Sequence, residues 1–100
     1  MHKTTVNKLR KVIARPNMFI TEYNLPCAIS FVSGLNYASE VKPLGGFHDW
    51  LVGKYFNTLQ AQAWERLVQK IPHCTTGDPN NDVQAFLDIV SEYLDAIESA

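Results

Sequence analysis

Side chains that could take part in catalysis are few in this sequence: three histidines, two cysteines and ten carboxylates. His48 and Asp49, in the string GFHDW, could supply a base and the carboxylate that orients it. Adjacent side chains on a helix point about 100° apart, so we do not expect these two to face each other. We interpret the pair as the exposed first turn of a helix, where Asp49 favours the positive end of the helix dipole.

His73 and Cys74 are neighbours in a polar loop and, with His2 or Asp78, could hold a metal ion. Structural zinc sites use pairs such as CxxC or HxxxH, and neither spacing occurs in this sequence. The glycines form no phosphate-binding loop of the GxGxxG or GxxxxGK[ST] type. The sequence therefore predicts neither a metal nor a cofactor, and we do not expect an enzyme.

Composition predicts one domain over residues 1–100. A chain of 100 residues with 46% hydrophobic residues can build one core. No apolar stretch approaches the roughly 20 residues of a membrane span, and the basic start lacks the apolar region of a signal peptide. Cys27 and Cys74 do not form the even-numbered framework of small secreted domains. We expect a cytoplasmic protein with two buried thiols, and a disulfide between them is the alternative.

The first half of the chain predicts two helices joined by an irregular segment. Apolar residues at helical spacing place the first helix over Thr5 to Ala14, and Pro16 ends it. The segment Pro16 to Tyr23 has no clear period, so we expect an ordered, buried connection or a short strand. Asn24 can cap the second helix, whose first turn contains Pro26.

The second half predicts three more helices. The third begins at about Phe47, close to the centre of the molecule, and the fourth is stopped by Pro72. The polar loop from Pro72 to Asn80 is expected to be the most mobile segment. The side chains predicted to cap the fourth and fifth helices are Asn57 or Thr58, and Asn80 or Asn81.

These elements predict an all-α fold, a compact irregular bundle of about five helices with short connections. No alternating run of useful length argues for a sheet. The residues expected at the centre of the packing are Phe31, Trp50, Leu67, Phe86 and Leu94.

Charge is divided between the two ends of the chain. Residues 1–15 carry five basic side chains and no acid, whereas residues 78–100 carry six acids and no base. Lys8, Lys11 and Arg15 share one helix face, which could touch nucleic acid phosphates. The formal net charge is only −1 and no recognition helix is evident, so we interpret this face as ordinary solvated surface.

The acidic end suggests a docking surface for a basic protein. Like charges at helical spacing repel each other by a few tenths of a kcal/mol per pair, and a cationic partner would relieve that cost. A plain solubilising face is the alternative. The residues of the hypothetical partner-binding surface are Asp78, Asp82, Asp88, Glu92, Asp95 and Glu98.

Two strings, RPNMFI at residues 15–20 and GFHDWL at residues 46–51, resemble a group of small bacterial helical proteins. That group has RPxM[FY][IL] and GFxxW[LV] segments and an acidic amphipathic C-terminal helix. Such proteins are often encoded beside polymorphic or contact-dependent toxins and are regarded as immunity proteins. The resemblance implies a scaffold and no functional site, with these packing residues: Met18, Phe19, Phe47, Trp50 and Leu51.

We therefore expect an immunity or antitoxin-like protein that binds and neutralises a cognate bacterial toxin, such as a nuclease, through the acidic helix. An acidic helix would be steered to the cationic groove of a nuclease. The alternative is a non-catalytic adaptor or regulator that forms a homodimer through spare apolar surface at Ile29 and Ile89. Neither hypothesis involves a membrane.

Overall fold

The computed structural model describes residues 3–39 and 42–99. Within these ranges the chain forms five α-helices and no strand, which confirms the predicted all-α bundle. One-turn 3-10 helices occupy Pro16–Met18 and Pro72–Cys74, and a π-helical turn, Val52–Phe56, continues the third helix. The helices are α1 (Lys3–Ala14), α2 (Leu25–Ala38), α3 (Phe47–Leu51), α4 (Trp64–Val68) and α5 (Pro79–Glu98).

The longest helix, α5, is the centre of the bundle. It packs against α1, α2 and the 3-10 turn at Pro72–Cys74. Its buried stripe is wider than the face of an ordinary surface helix because neighbours lie on several sides of it. The fully buried residues of this stripe are Val83, Phe86, Leu87, Val90 and Leu94.

The predicted core is confirmed in part. Leu67, Phe86 and Leu94 are fully buried, but Phe31 and Trp50 are only partly buried and pack on the edge of the core. Phe47, one turn before Leu51, takes the central aromatic position instead, with its ring centroid 5.2 Å from that of Trp64.

Local signals placed the start of α2 correctly. Asn24 is the N-cap, and its side-chain oxygen accepts a hydrogen bond from the backbone N–H of Cys27 at 3.0 Å. This bond satisfies one of the four N–H groups that a helix start leaves unpaired. Near the other end, buried Asn36 accepts from the backbone N–H of Leu44 at 3.0 Å, which fixes the turn that follows α2.

The segment from Pro16 to Tyr23 differs from the prediction of a buried connection or short strand. It begins with a 3-10 turn, and of its large apolar residues only Ile20 is buried. Met18 is 70% exposed and Phe19 40% exposed, so neither is a core residue, although the Phe19 ring packs on Phe31 with 6.2 Å between the ring centroids. The tight turn carries Met18 and Phe19 to the outside while it directs Ile20 inward.

The predicted caps of the last two helices are wrong. Asn57 has a left-handed conformation, with φ of 59°, and ends the π-helical turn instead of starting a helix. The helix α4 starts only at Trp64, without a side-chain cap. Asp78 caps α5, its side chain accepting from the backbone N–H of Asn80 at 3.1 Å, and Pro79 occupies the first turn.

The loop before α5, expected to be mobile, is held by Asp82. This residue is 8% exposed, and its carboxylate accepts from the backbone N–H and hydroxyl of Thr76 at 2.9 and 2.6 Å. The backbone N–H of Gly77 donates to its second oxygen at 3.2 Å. These bonds lower the pKa of Asp82, with the Thr76 hydroxyl as the largest cause.

Candidate partner-binding surfaces

The six acids of the hypothetical docking surface do not form one free charged face. Two of them have structural roles at the start of α5, since Asp78 caps the helix and Asp82 is buried in the preceding loop. Asp88 is exposed and accepts from the side-chain amide of Gln84 at 2.9 Å. The remaining three acids, Glu92, Asp95 and Glu98, are also exposed on α5.

Those three acids form ion pairs within the molecule. The Arg10 guanidinium, on α1, bonds to Asp95 at 2.8 Å and to Glu98 at 3.2 Å through its Nε. Lys54, on the π-helical turn, pairs with Glu92, and its ammonium lies 5.0 Å from the centroid of the Trp50 ring. Arg10 and Lys54 of the same chain therefore engage three acids of α5, whereas Asp88 forms no ion pair with a base of the described residues.

His48 and Asp49 face each other, contrary to the prediction from helix geometry. Their Nδ1 and Oδ1 atoms are 3.1 Å apart, because rotation about the side-chain bonds closes the angle between neighbours. The second ring nitrogen, Nε2, lies 2.9 Å from the carbonyl oxygen of Gln60. The hydrogen bond with Asp49 is the main cause that raises the pKa of His48. Both partners are acceptors, so both ring nitrogens donate when the ring is protonated, and in that form the ring holds α3 to the next loop.

His73 and Cys74 point to different surroundings. Cys74 is buried, and desolvation raises the pKa of its thiol to about 11, whereas His73 is exposed on the 3-10 turn. A thiol with such a pKa is a poor nucleophile at neutral pH. In residues 3–39 and 42–99, no three His, Cys, Asp or Glu side chains are grouped so that they could hold a metal ion. Cys27 and Cys74 are both free thiols.

An exposed trough runs along the outer side of α2, where sequence reasoning placed no site. It consists of three adjoining hollows of about 290, 540 and 430 Å³. Phe19 lines the first two hollows, and Pro26 and Ser30 line the second and third, so the hollows adjoin one another. The side chains that define this α2 trough are Lys11, Arg15, Met18, Phe19, Pro26, Cys27, Ser30, Phe31, Ser33, Tyr37 and Glu65.

The α2 trough combines exposed apolar side chains with charged ones, which are Lys11 and Arg15 in the first hollow, Glu22 in the second and Glu65 in the third. Met18 and Phe19 are exposed as described, and Tyr37 is 60% exposed. Lys11 and Arg15 stand at one end, and neither forms an ion pair with an acid of the described residues. Glu65 stands at the other end. The trough thus offers apolar contact together with a basic end and an acidic end.

Part of this surface was detectable in the sequence and part was not. The apolar string MFI at residues 18–20 was visible, but not which of its members faces outward. Ile29, predicted to be spare surface, is 4% exposed, because the buried side of α2 is centred on Ala28 and Val32. Glu65 gave no signal, since an acid in the first turn of a helix is usual.

The chain matches no protein-family model, no curated protein and no solved structure. None of the helices in the described ranges combines the length and the apolar character needed to cross a membrane.

Proposed function

We propose that this chain is a binding protein of the immunity or antitoxin type, which neutralises a bacterial toxin by covering part of it through the α2 trough. The observation that carries the proposal is the exposure of the large apolar side chains of Met18, Phe19 and Tyr37 at hollows that adjoin one another. Small soluble domains rarely leave such surface open unless it contacts another molecule. The resemblance of the RPNMFI and GFHDWL strings to immunity proteins gives further support.

The trough is a better contact surface than the acidic helix. A partner that docked on α5 would have to break or share the ion pairs of Arg10 and Lys54, and this cost offsets the gain from new charge pairs. The trough needs no such rearrangement, because its apolar side chains are already exposed. Aromatic and methionine side chains are also enriched at protein interfaces.

The charges around the trough define the partner. Lys11 and Arg15 border the hollow that contains Met18, so a carboxylate of the partner would meet them there. The occupant we propose is a segment of the toxin with apolar side chains in its middle and an acid near Lys11 and Arg15.

The test is growth rescue by matched surface variants. The protein encoded beside this chain is expressed in bacteria, together with the wild type, Met18→Asp or Leu59→Asp. Leu59 is 95% exposed and lies outside the trough, so Leu59→Asp introduces the same charge outside the proposed interface. We expect the wild type and Leu59→Asp to restore growth and Met18→Asp to fail, with the same order in calorimetric binding of the purified proteins.

Three results would contradict parts of the proposal. A neighbouring protein that neither arrests growth nor binds would remove the immunity role. Equal rescue by both variants would remove the trough as the interface. Rescue lost only after charge reversal at Asp88 and Glu92 would return the interface to the acidic helix.

A homodimer is the second candidate, because the same exposed Met18 and Phe19 could face a second copy. The predicted dimer surface at Ile29 and Ile89 is wrong, since each of these residues is 4% exposed within the monomer. Sedimentation velocity over a range of concentrations would show a dimer that Met18→Asp disrupts and Leu59→Asp does not.

A further inference from the structure

The third hollow of the trough lies between α2 and α4 and contains one carboxylate. Ser33 and Tyr37 come from α2, and Glu65 and Gln69 from α4 and its C-cap. The hydroxyl of Ser33 donates to Oε2 of Glu65 at 2.6 Å. The side-chain amide of Gln69 donates to the backbone carbonyl of Glu65 at 3.1 Å and forms no hydrogen bond with its carboxylate.

The carboxylate of Glu65 has more acceptor capacity than its surroundings use. Its second oxygen, Oε1, is buried, and no donor in the described ranges reaches it. The ion pairs of the described residues also do not include Glu65. An ionised carboxylate accepts about four hydrogen bonds, and a partly buried one is costly without a cation or several donors. The hollow therefore contains a carboxylate that, within the described ranges, accepts a hydrogen bond only from Ser33 and pairs with no base.

The shape and chemistry of the hollow fit a flat cation on an apolar stem. The hollow measures about 430 Å³, and its walls include Pro26, Gly34 and the ring of Tyr37. A guanidinium can bond to a carboxylate through two parallel N–H groups and can also stack on an aromatic ring. The end of a Glu side chain rotates easily, so either oxygen can be turned toward the opening.

We infer that this hollow is a pocket for an arginine side chain of the partner. Glu65 holds the guanidinium, Tyr37 stacks on it, and Pro26 contacts the aliphatic stem. An ammonium group bonds less well, because it cannot form the paired hydrogen bonds or the planar stack. The pocket is the acidic end of the α2 trough, so its biological role rests on the proposed function. A toxin segment that fits the whole trough carries an acid at one end and an arginine at the other.

The pocket can be tested without the partner. Blocked arginine, N-acetyl-arginine-N-methylamide, is titrated into the isotope-labelled full chain, and amide NMR shifts are followed. Blocked citrulline, which has the same shape without the charge, is the matched neutral probe. We expect saturable shifts around Ser33, Tyr37 and Glu65 with arginine, weaker ones with blocked lysine and none with citrulline.

Variants separate charge from structure. Glu65→Gln is expected to weaken binding of the arginine probe by roughly tenfold or more. Glu22→Gln, at an acid of the adjoining hollow and outside the arginine pocket, is the matched control and should bind as the wild type does. Equal shifts with citrulline, or unchanged binding by Glu65→Gln, would overturn the arginine pocket. The citrulline comparison needs no variant, so it decides the matter even if Glu65→Gln unfolds.

Failure of the pocket and failure of the proposed function are distinguishable. Rescue that depends on Met18, together with no arginine binding, would leave the binding protein and remove the pocket. Arginine binding, together with a neighbouring protein that neither arrests growth nor binds, would keep the pocket and remove the immunity role.

Discussion

Arg10 decides whether the acidic helix is open to a partner, and its replacement is the most informative stability measurement. The guanidinium bridges Asp95 and Glu98, and it joins α1 to α5 across 88 positions of sequence. Arg10→Met removes the charge and keeps an apolar stem of similar length, so stem packing is largely preserved. The change in unfolding free energy then reports mainly on the two ion pairs.

The expected loss is about 1 kcal/mol. The side chains of Arg10, Asp95 and Glu98 are 34%, 70% and 43% exposed, so solvent screens both pairs. Exposed pairs contribute about 0.2–1 kcal/mol each, and two pairs on one guanidinium therefore give roughly 0.5–1.5 kcal/mol. For a domain of this size a loss of about 1 kcal/mol lowers the melting temperature by roughly 4–8 °C.

The assay is urea unfolding at low salt and at about 1 M NaCl, where the screening length falls to about 3 Å. Lys11→Met, one position along, is the matched control, because Lys11 is exposed and forms no ion pair with the described acids. We expect it to change stability by no more than about 0.5 kcal/mol. A double-mutant cycle of Arg10→Met with Glu98→Gln should give a coupling of roughly 0.5 kcal/mol that disappears in high salt.

A coupling of zero at low salt would refute this reasoning. It would mean that Arg10 does not hold Glu98 in solution, so that the acidic face is open. The acidic helix would then regain its place as the predicted docking surface.

Three further predictions concern buried groups. Phe86→Ala should cost about 3–5 kcal/mol in urea unfolding, because the fully buried ring stacks on Trp64, and a loss below about 1 kcal/mol would contradict the packing. In the native protein at pH 8, iodoacetamide should modify partly exposed Cys27 and spare Cys74, whose buried thiol has a pKa of about 11; modification of both before unfolding would be inconsistent with that burial. Because the pKa of Asp82 is lowered in the folded chain, its carboxylate stabilises the fold at pH values above the unfolded-state pKa of about 4. This contribution is lost as the pH falls from about 4 to the lower folded-state pKa. Asp82→Asn should therefore be less stable than the wild type at pH 7 and should lose less unfolding free energy on acidification below about pH 4. An equal loss of unfolding free energy in the two proteins below about pH 4 would exclude this role.

Elements set by local chemistry were predictable from the sequence. Asn24 and Pro26 mark the start of α2 because capping and the first-turn proline act within a few residues. Asn57 misled the prediction, since asparagine is common both at helix starts and in left-handed turns, and only the φ of 59° separates the two roles. The same local pattern is compatible with two backbones.

Contacts between distant residues were out of reach of the sequence. The opposite charges of the two chain ends were plain, but not that Arg10 lies over Asp95 and Glu98. The arginine pocket depends on Ser33 and Glu65, which are 32 positions apart and come together only when α2 packs on α4. Periodicity assigns a residue to one side of a helix, and it does not say which other helix lies there.

The contact between α1 and α5 also bears on how the chain is made. The Arg10 guanidinium emerges 88 residues before its partner Glu98, which at 5–20 residues per second is a delay of roughly 4 to 18 seconds. During that time the apolar side chains of α1, Val6, Leu9 and Val12, can contact α2 but not α5, so their burial is incomplete. An emerging chain of this protein thus offers ribosome-bound chaperones an amphipathic helix with a basic face, and its fold closes only once α5 is complete.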